Sequence, residues 1–429
     1  MTRTILPPTE APSRVQAAGM AARISLGRTL AAESSSYFLL LGTTLFLVAF
    51  GLVMVLSSSS VESFVDDRNP FSAFFTQGGA AVLGLPAMLI LSRAKPALWQ
   101  KLAVPALVIA AILQLLVFTG LGYGYGGNRN WLNLGFMSIQ PSEITKLALV
   151  LWLGQVLSTR HYLLDSGRRL FWLIVPVAGV MIGLVLVGKD LGTVIIMASI
   201  VFGALFFAGV KLRFLALGGA AAATVALIFS RLSDSRVDRI NAWLSGCQTD
   251  YLDTCWQVKH GTWALAAGGV FGVGLGNSKA KWSWLPEADN DFIFAVIGEE
   301  LGLLGAVVVL LLFVVLAFSF LRILQTAPDQ FSRIVTSAVM VWVLVQAFVN
   351  IAVILGVLPV LGVPLPLISS GGSSLIITLA AIGIVLSIAR ASRIDEVLPL
   401  PAARRPAVRR PAAQRPAARP SAQGPAARR

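Results

Sequence analysis

Long apolar stretches, separated by shorter polar segments, dominate the first 390 residues of the chain. A helix that crosses a bilayer needs about 20 predominantly apolar residues. Ten stretches come close to that length, at residues 37–57, 71–92, 102–122, 142–158, 170–187, 191–209, 215–230, 291–318, 334–357 and 371–390. The pattern therefore predicts an all-α polytopic membrane protein with about ten transmembrane helices.

An eleventh apolar stretch, 261–276, is short and contains six Gly, so it suits a re-entrant or surface-lying segment as well as a span. The distribution of positive charge favours ten spans, because cytoplasmic loops are enriched in Lys and Arg. With ten spans and a cytoplasmic start, the four short inner loops contain Arg93, Lys95, Lys101, Arg160, Arg168, Arg169, Lys211, Arg213, Arg322 and Arg333. We therefore predict that both termini are cytoplasmic and that a long segment, 231–290, lies outside between spans 7 and 8.

Composition excludes a soluble protein, because 56% of the residues are hydrophobic and only 13% are charged, against about 25% charged in soluble domains. The mean hydropathy is +0.79. Eight of the 34 basic residues lie in an Arg/Pro/Ala-rich tail after Pro401, so the net charge of +14 does not indicate a nucleic-acid partner. We divide the chain into a cytoplasmic segment without a cleaved signal peptide (1–36), a membrane domain (37–391) and a disordered tail (392–429) that suits anionic lipid headgroups or a partner protein.

Four polar clusters border the predicted spans on the outer side, and the first is LPEADNDFIFAVIGEELG at 285–302. Asp291 lies at the junction of loop and span, where partial desolvation raises a carboxyl pKa and favours a general base. The alternative for Asp291 is a helix N-cap. Glu299 and Glu300 lie two turns into the helix, where we expect pairing with a base from a neighbouring span, although a catalytic role stays open.

The second cluster, at 126–146, contains Arg129 together with Glu143 and Lys146 on one helical face. Arg and Lys at a polar mouth suit a phosphate group. An intrahelical ion pair between Glu143 and Lys146 is the alternative.

The third cluster is GKDLGT at 188–193, in which we favour Asp190 as an N-cap paired with Lys189 over a catalytic group. The fourth is LPVLGVPLPLISSGGSS at 358–374, where Gly371, Gly372 and Ser373 begin a helix. Backbone amides at such a start can bind an anion, but Gly and Ser also allow close helix packing.

Two further pairs stand out. Gln346 and Asn350, spaced i, i+4 on the ninth span, suit hydrogen bonds across helices. Cys247 and Cys255 lie in the long outer segment, an oxidising location, and we predict a disulfide between them.

These motifs, in this order, resemble the SEDS family of polytopic membrane proteins, which contains FtsW and RodA, over residues 37–391. LPEADNDFIFAVIGEELG resembles the family's loop-to-helix motif, whose essential acid falls on Asp291. NRNWLNLG and IQPSEITK resemble its Arg-Trp and Gln-Pro-Ser-Glu-x-x-Lys segments, and PVLGVPLPLISSGGSS resembles its Gly-Gly-Ser-Ser signature.

The chain departs from the family pattern at three places. Asn130 follows Arg129 where the family often has a second Arg, which leaves a second cationic role unfilled. GKDLGT keeps Asp190 but not its usual neighbours, and Ser370 stands where an aromatic residue is common. The presumed catalytic acid is unaffected.

The resemblance implies an inverting peptidoglycan glycosyltransferase that polymerises lipid II, a disaccharide-pentapeptide on an undecaprenyl pyrophosphate carrier, at the outer face of the bacterial cytoplasmic membrane. On that basis Asp291 is the expected general base for the acceptor hydroxyl. Arg129, Lys146 and Glu143 are expected at the substrate and its pyrophosphate, with Arg236 and Arg239 as weaker candidates. A divalent cation, Mg²⁺ or Mn²⁺, is an expected helper, and no organic cofactor is expected.

The resemblance also implies a class B penicillin-binding protein (FtsI-like) as partner, along with other division proteins. KWSWLPEADNDF and PLPLISSGGSS favour the division branch over an elongation polymerase, and the tail is similar to those of actinobacterial members. Two other classes stay open. A lipid II flippase would use the same charges to line a path, and a scaffold would use the membrane body for docking.

Overall fold

The structure is a computed structural model, and it describes residues 34–67, 69–125, 128–133, 135, 138–160, 162, 164, 166–231, 234–247, 255–282 and 284–397. The described helices are α1 (Ser35–Asp67), α2 (Ser72–Leu91), α3 (Pro96–Leu116), α4 (Pro141–Thr159), α5 (Gly167–Val187), α6 (Leu191–Phe207), α7 (Leu212–Ser230), α8 (Asp234–Leu244), α9 (Trp256–Gly268), α10 (Ile293–Gln325), α11 (Gln330–Ile354) and α12 (Gly372–Val397). The strands are β1 (Gly122–Tyr125), β2 (Asn128–Asn133) and β3 (Ser138–Ile139).

Ten of these helices fall on the ten predicted spans, and eight of them are long and apolar enough to cross a membrane. The other two are α4 and α6. Helix α6 has only 17 residues, and α4 contains Glu143 and Lys146 near its start. The polytopic helical architecture is confirmed, whereas the count of ten spans and their orientation stay predictions. Helix α12 extends to Val397, past the predicted boundary at 391, and most of the two predicted terminal segments lies outside the described residues.

The third predicted span ends too late, and the all-α prediction missed a small sheet. Helix α3 stops at Leu116, and the chain then forms an antiparallel sheet in the order β1-β2-β3. Gly122 allows the turn into β1, because a Cβ there would lie 1.8 Å from the Val117 carbonyl oxygen. The sheet places Arg129 and Asn130 on neighbouring positions of β2, with Arg129 exposed and Asn130 buried.

The long segment 231–290 contains two helices of its own, α8 and α9. The eleventh apolar stretch contributes only the second half of α9, which has 13 residues and ends at Gly268, too short to cross a bilayer. The glycines that follow have positive φ at Gly269, Gly272, Gly274 and Gly276, so the chain turns instead of continuing as a helix.

Helix α10 is broken at Gly302, which the prediction of one continuous span did not anticipate. Gly302 has φ 68° and ψ −168°. The segment 269–274 (the insertion segment) fills the break: the amides of Val273 and Gly274 donate to the carbonyls of Glu299 and Glu300 at 3.0 Å. The amide of Leu303 in turn donates to the Gly269 carbonyl at 2.9 Å. Backbone groups freed by the break are thus satisfied by protein, as a membrane environment requires.

The core is aliphatic and formed mainly by α11 and α12, which pack against α2, α4, α6 and α10. Helix α7 contributes little to it, because Ser230 is the only buried residue described in that helix. The apolar faces left exposed, such as Leu217 and Leu227 on α7, are of the kind that contacts lipid. The polar groups discussed next lie where the loops meet the helix starts.

Candidate active site

Asp291 lies two residues before α10, on the turn 287–291 that closes the long outer segment. The N-cap of α10 is Phe292, and no side-chain cap is formed there, so the N-cap alternative for Asp291 is wrong. Among the described residues, no hydrogen bond to the Asp291 carboxylate is present. Its Oδ2 faces Gly362, where a Cβ would lie 3.6 Å away. The Asp291 side chain is therefore half-buried, and its carboxylate forms no hydrogen bond with the described part of the protein.

Burial and like charge both act on Asp291. Desolvation by burial, followed by the charges of Glu287, Asp190 and Asp289, raises its pKa from 3.8 to about 7 against the opposing effect of Arg239. Burial beside Glu287 also raises the pKa of Asp289, although a hydrogen bond from Ser370 opposes that shift. An acid whose pKa lies near neutrality suits proton transfer, so the electrostatics fit the predicted base.

The loop 358–371 holds the turn that carries Asp291. Ser369 Oγ donates to the Asn290 carbonyl at 2.6 Å, and the Ser370 amide donates to the Asp289 carbonyl at 2.8 Å. Asn350 Nδ2 on α11 donates to the Asp291 carbonyl at 2.7 Å and to the Val363 carbonyl at 2.8 Å. The predicted cross-helix hydrogen bonding by Asn350 therefore links a helix to two loops, and it positions the acid through its backbone.

Asp190 is the N-cap of α6, as favoured from the sequence, since its Oδ1 accepts from the Thr193 amide at 2.9 Å. Its Oδ2 accepts from Asn130 at 2.9 Å, from Gln140 at 3.1 Å and from the Thr193 hydroxyl at 2.9 Å. The carboxylate is 5% exposed. Asp190 thus ties β2 and the start of α4 to α6, while the predicted ion pair with Lys189 stays a prediction.

Arg129 is exposed on β2, and its guanidinium closes the end of α3. Nε donates to the Val117 carbonyl at 3.0 Å, and Nη2 donates to the carbonyls of Thr119 at 2.7 Å and Gly122 at 3.3 Å. Both bonding nitrogens face the protein, and the same side chain lines a cleft of about 730 Å³. Arg129, the side chain predicted to bind phosphate, is therefore held in a fixed orientation at the wall of a cavity.

Lys146 and Glu143 form the predicted intrahelical ion pair, with Nζ 2.9 Å from Oε1. Lys146 is only 2% exposed; its Nζ also donates to Gln346 Oε1 at 3.1 Å and lies 4.7 Å from the centroid of the Trp342 ring. Gln346 passes the connection on, since its Nε2 donates to the Pro364 carbonyl at 3.0 Å. This closed cluster favours the structural interpretation of Lys146 over direct contact with a pyrophosphate.

Glu299 and Glu300 are buried before the break in α10. The base that pairs with Glu300 is Lys281, 3.6 Å away, and it comes from the outer segment, so the prediction of a partner from a neighbouring span is wrong. Glu300 also accepts from the Ser57 hydroxyl at 2.7 Å. Glu299 accepts from the Lys279 amide at 2.9 Å and from the Ser278 hydroxyl. These two acids organise the segment that precedes Asp291.

The remaining candidates lie around the same mouth. Arg239 on α8 is close enough to lower the pKa of Asp291, and it lines a small cavity of about 130 Å³ beside Cys247. The predicted disulfide between Cys247 and Cys255 is formed, with a Cα–Cα distance of 5.5 Å. The side chain of Arg236 lies outside the described residues.

Ser373, in the first turn of α12, has a structural contact, since its Oγ accepts from the Gln140 amide at 3.3 Å. The Gly371 amide donates to Gln77 Oε1 at 3.0 Å. The Ser373 contact joins the fourth cluster to the second, and through Gln140 to Asp190 of the third, whereas the Gly371 contact joins the fourth cluster to α2. The anion site predicted at this helix start stays a prediction.

Sequence reasoning missed Asp289 and Glu287, which share the motif of Asp291, and Lys281, which balances Glu300. The i, i+2 spacing of Glu287, Asp289 and Asp291 before a helix start was the available signal for the two acids. Among the described residues, no group of three or more His, Cys, Asp or Glu side chains is arranged to hold a metal ion. The expected Mg²⁺ or Mn²⁺ stays a prediction.

Comparison with known proteins identifies the family of the chain. The profile of the FtsW/RodA/SpoVE family, described as cell cycle protein, matches residues 37–394. A probable peptidoglycan glycosyltransferase FtsW of Mycobacterium tuberculosis is 37% identical over 395 residues, covering 88% of this chain and 75% of that protein. Stage V sporulation protein E of Bacillus subtilis is 36% identical over 370 residues, covering 84% of this chain and 99% of that protein.

Solved structures agree with the sequence relatives. A chain of a peptidoglycan synthase complex that coordinates polymerization and crosslinking matches with a TM-score of 0.68 and 28% identity, covering 82% of this chain and 97% of that one. The rod shape determining protein RodA of Thermus thermophilus matches with a TM-score of 0.61 and 26% identity, covering 83% of this chain and 97% of that one. The chain is therefore a multi-pass membrane protein that belongs to the FtsW/RodA/SpoVE family.

Proposed function

We propose that this protein is a peptidoglycan glycosyltransferase that polymerises lipid II during cell division, with Asp291 as the general base. The observation that carries the proposal is the state of the Asp291 carboxylate. It is half-buried, its pKa is raised to about 7, and among the described residues it neither caps a helix nor accepts a hydrogen bond. The names of the relatives in Mycobacterium and of the synthase complex support the same reaction class.

The reaction needs one strong base. An acceptor sugar hydroxyl attacks the anomeric carbon of the donor, and its proton passes to the Asp291 carboxylate. The new glycosidic bond forms as the bond from that carbon to the pyrophosphate oxygen breaks, and the electron pair leaves with the pyrophosphate. Attack opposite to the leaving group inverts the anomeric configuration.

The leaving pyrophosphate needs charge stabilisation more than it needs a proton. Arg129 is the best placed candidate, because its guanidinium lies at the wall of the 730 Å³ cleft. Asp190 connects the two ends of the site. It accepts a hydrogen bond from Asn130, the neighbour of Arg129, and its charge raises the pKa of Asp291. A divalent cation would add to this charge stabilisation if one is bound with the pyrophosphate, and its presence stays a prediction.

We further propose that the site faces the outside of the cytoplasmic membrane and that the partner is a class B penicillin-binding protein. The enrichment of Lys and Arg in the predicted inner loops supports the orientation. The structural match to a synthase complex that couples polymerization to crosslinking supports a transpeptidase as partner.

The test is polymerisation of labelled lipid II by the purified full-length protein, with and without the cognate class B penicillin-binding protein. Asp291→Asn is compared with Asp238→Asn, which makes the same charge change at an exposed position of α8. Loss of general-base catalysis predicts a decrease of about 10²–10⁴-fold for Asp291→Asn, and the control keeps wild-type activity.

Normal polymerisation by a folded Asp291→Asn variant would place the base elsewhere. If the wild type forms no polymer with its partner present, the glycosyltransferase proposal fails. A headgroup-accessibility assay in vesicles then separates a flippase, which moves lipid II across the bilayer, from a scaffold, which does not.

A further inference from the structure

One cleft of the described structure, of about 730 Å³, has two cations at its wall, and of these two only Arg129 is predicted from the sequence to bind phosphate. The second is Lys189, in the turn between α5 and α6. Both side chains are exposed, and both line the 730 Å³ cavity. Asp190, the next residue, is turned away into the protein, where it accepts the hydrogen bonds of Asn130 and Gln140.

The backbone of Arg129 lies directly against Gly188, the residue before Lys189. The Arg129 amide donates to the Gly188 carbonyl at 2.9 Å, which joins β2 to the turn. A Cβ on Gly188 would lie 2.7 Å from the Arg129 carbonyl oxygen, so only glycine allows this approach. The backbone segments that carry the two cations are therefore adjacent in the fold.

Lys189 occupies a position that normally suits glycine. Its φ is +67°, and its amide donates to the Leu186 carbonyl while that of Asp190 donates to the Val185 carbonyl. This is the Schellman arrangement at a helix end, whose left-handed residue is usually Gly. A lysine here costs conformational energy relative to glycine, which points to a use for its side chain.

The cleft suits an amphiphilic anion. Its lining residues include Gly122, Gly124 and Asn128 of the sheet, which are polar or have accessible backbone, and the apolar residues Phe118 and Val187 near the ends of α3 and α5. Val187 is 66% exposed. A ligand with a charged head and a hydrocarbon chain can place its head between the cations and its chain along the membrane helices.

We propose that Arg129 and Lys189 together form the subsite for the diphosphate of a polyprenyl-linked substrate or product, with Lys189 as a residue that contacts the phosphate. The inference deepens the proposed function and rests on it for the identity of the ligand. Lys189 supplies the second cation that is missing from β2, where Asn130 follows Arg129. Two positive charges match the two negative charges of a diphosphate diester.

The experiment measures binding of undecaprenyl diphosphate to the full-length protein in nanodiscs of neutral phosphatidylcholine. Lys189→Gln is expected to weaken binding about ten-fold, since a charge-assisted contact is lost, whereas Lys189→Arg keeps it within about three-fold. Lys101→Gln, the same change at an exposed position near the opposite end of α3, is the matched control and binds as wild type. Undecaprenol, which has no phosphate, is expected to bind all variants equally.

Lys189→Gly separates a ligand contact from a structural role at the helix end. Glycine fits the left-handed conformation, so the unfolding temperature of the Lys189→Gly variant should equal or exceed that of wild type. Its diphosphate binding should fall as in Lys189→Gln. A lower unfolding temperature with undiminished binding would show that Lys189 serves only the helix end, and would overturn the proposal.

Two further outcomes would also overturn it. Equal diphosphate binding by wild type and Lys189→Gln would show that Lys189 does not contact the diphosphate. Equal competition by phosphatidylglycerol makes the cleft a general phospholipid headgroup site. The polymerisation assay distinguishes failure of the subsite from failure of the proposed reaction. Lys189-dependent binding by a protein that forms no polymer supports this subsite and refutes only the proposed reaction. Polymer formation without Lys189-dependent binding refutes only the subsite.

Discussion

Replacing Asp291 with Asn should lower the rate of polymerisation by about 10²–10⁴-fold and stabilise the protein above neutral pH. The carboxyl pKa is about 7 in the folded state and 3.8 when exposed, so folding favours the protonated form. Between these two values the native state binds more protons than the unfolded state, and stability therefore falls as pH rises. The wild type loses this stability on going from about pH 4 to pH 7, and Asn, which stays neutral, does not.

The magnitude follows from the shift. A change from 3.8 to about 7 corresponds to roughly 4 kcal/mol at about 1.4 kcal/mol per unit. Asp291 is half-buried, so solvent screens part of the effect, and we expect about 2 kcal/mol at high pH. For a domain of this size that is a shift in unfolding temperature on the order of 2–4 °C.

The assay is thermal unfolding of the purified protein in detergent between pH 5 and pH 8.5, for wild type, Asp291→Asn and the exposed control Asp238→Asn. The gap between Asp291→Asn and wild type should widen with rising pH, whereas Asp238→Asn should follow the wild type throughout. In parallel, polymerisation by the wild type should rise with pH through about 7, to roughly ten times its pH 6 rate on the plateau. Parallel unfolding curves for wild type and Asp291→Asn would refute the argument that burial raises this pKa.

Three other perturbations test the surrounding structure. Gly302→Ala should destabilise by about 3 kcal/mol or more, because a Cβ there would lie 2.4 Å from a backbone nitrogen of the insertion segment, while Gly79→Ala, in the interior of α2 with open space around it, should stabilise by about 0.4–1 kcal/mol in the same thermal unfolding assay. Asp190→Asn should cost about 1–3 kcal/mol through loss of acceptors and should move the pH–rate profile toward lower pH, because a negative charge near the proposed base is removed; an unchanged profile would contradict the electrostatic contact. Replacing Cys247 and Cys255 by Ser should cost about 2–3 kcal/mol by the chain-entropy estimate for this short loop, and mass spectrometry after alkylation with and without reduction should report the disulfide; alkylation of both thiols without reductant would contradict it.

The membrane helices could be predicted from the sequence, because each is specified by its own apolar residues and needs no distant partner. The same holds for the disulfide and for the N-cap at Asp190, which depend on residues close in sequence. The break in α10 could not be predicted, since the residues around Gly302 read as one apolar helix. It exists because the insertion segment, some thirty residues earlier, supplies replacement hydrogen bonds.

The candidate site divides in the same way. Sequence by itself singled out Asp291, Arg129 and Asp190 as polar groups at the ends of apolar stretches, where placing a charge is costly. Only the tertiary structure decided their roles. The Asp190 carboxylate accepts four hydrogen bonds, whereas the Asp291 carboxylate accepts none from the described residues and is available as a base. The tertiary structure also decided that Lys146 is enclosed and that Lys189 shares a cleft with Arg129. The physical reason is that burial, neighbouring charge and cavity shape arise from segments far apart in the chain, and these determine whether an ionisable group is a cap, an ion pair or a base.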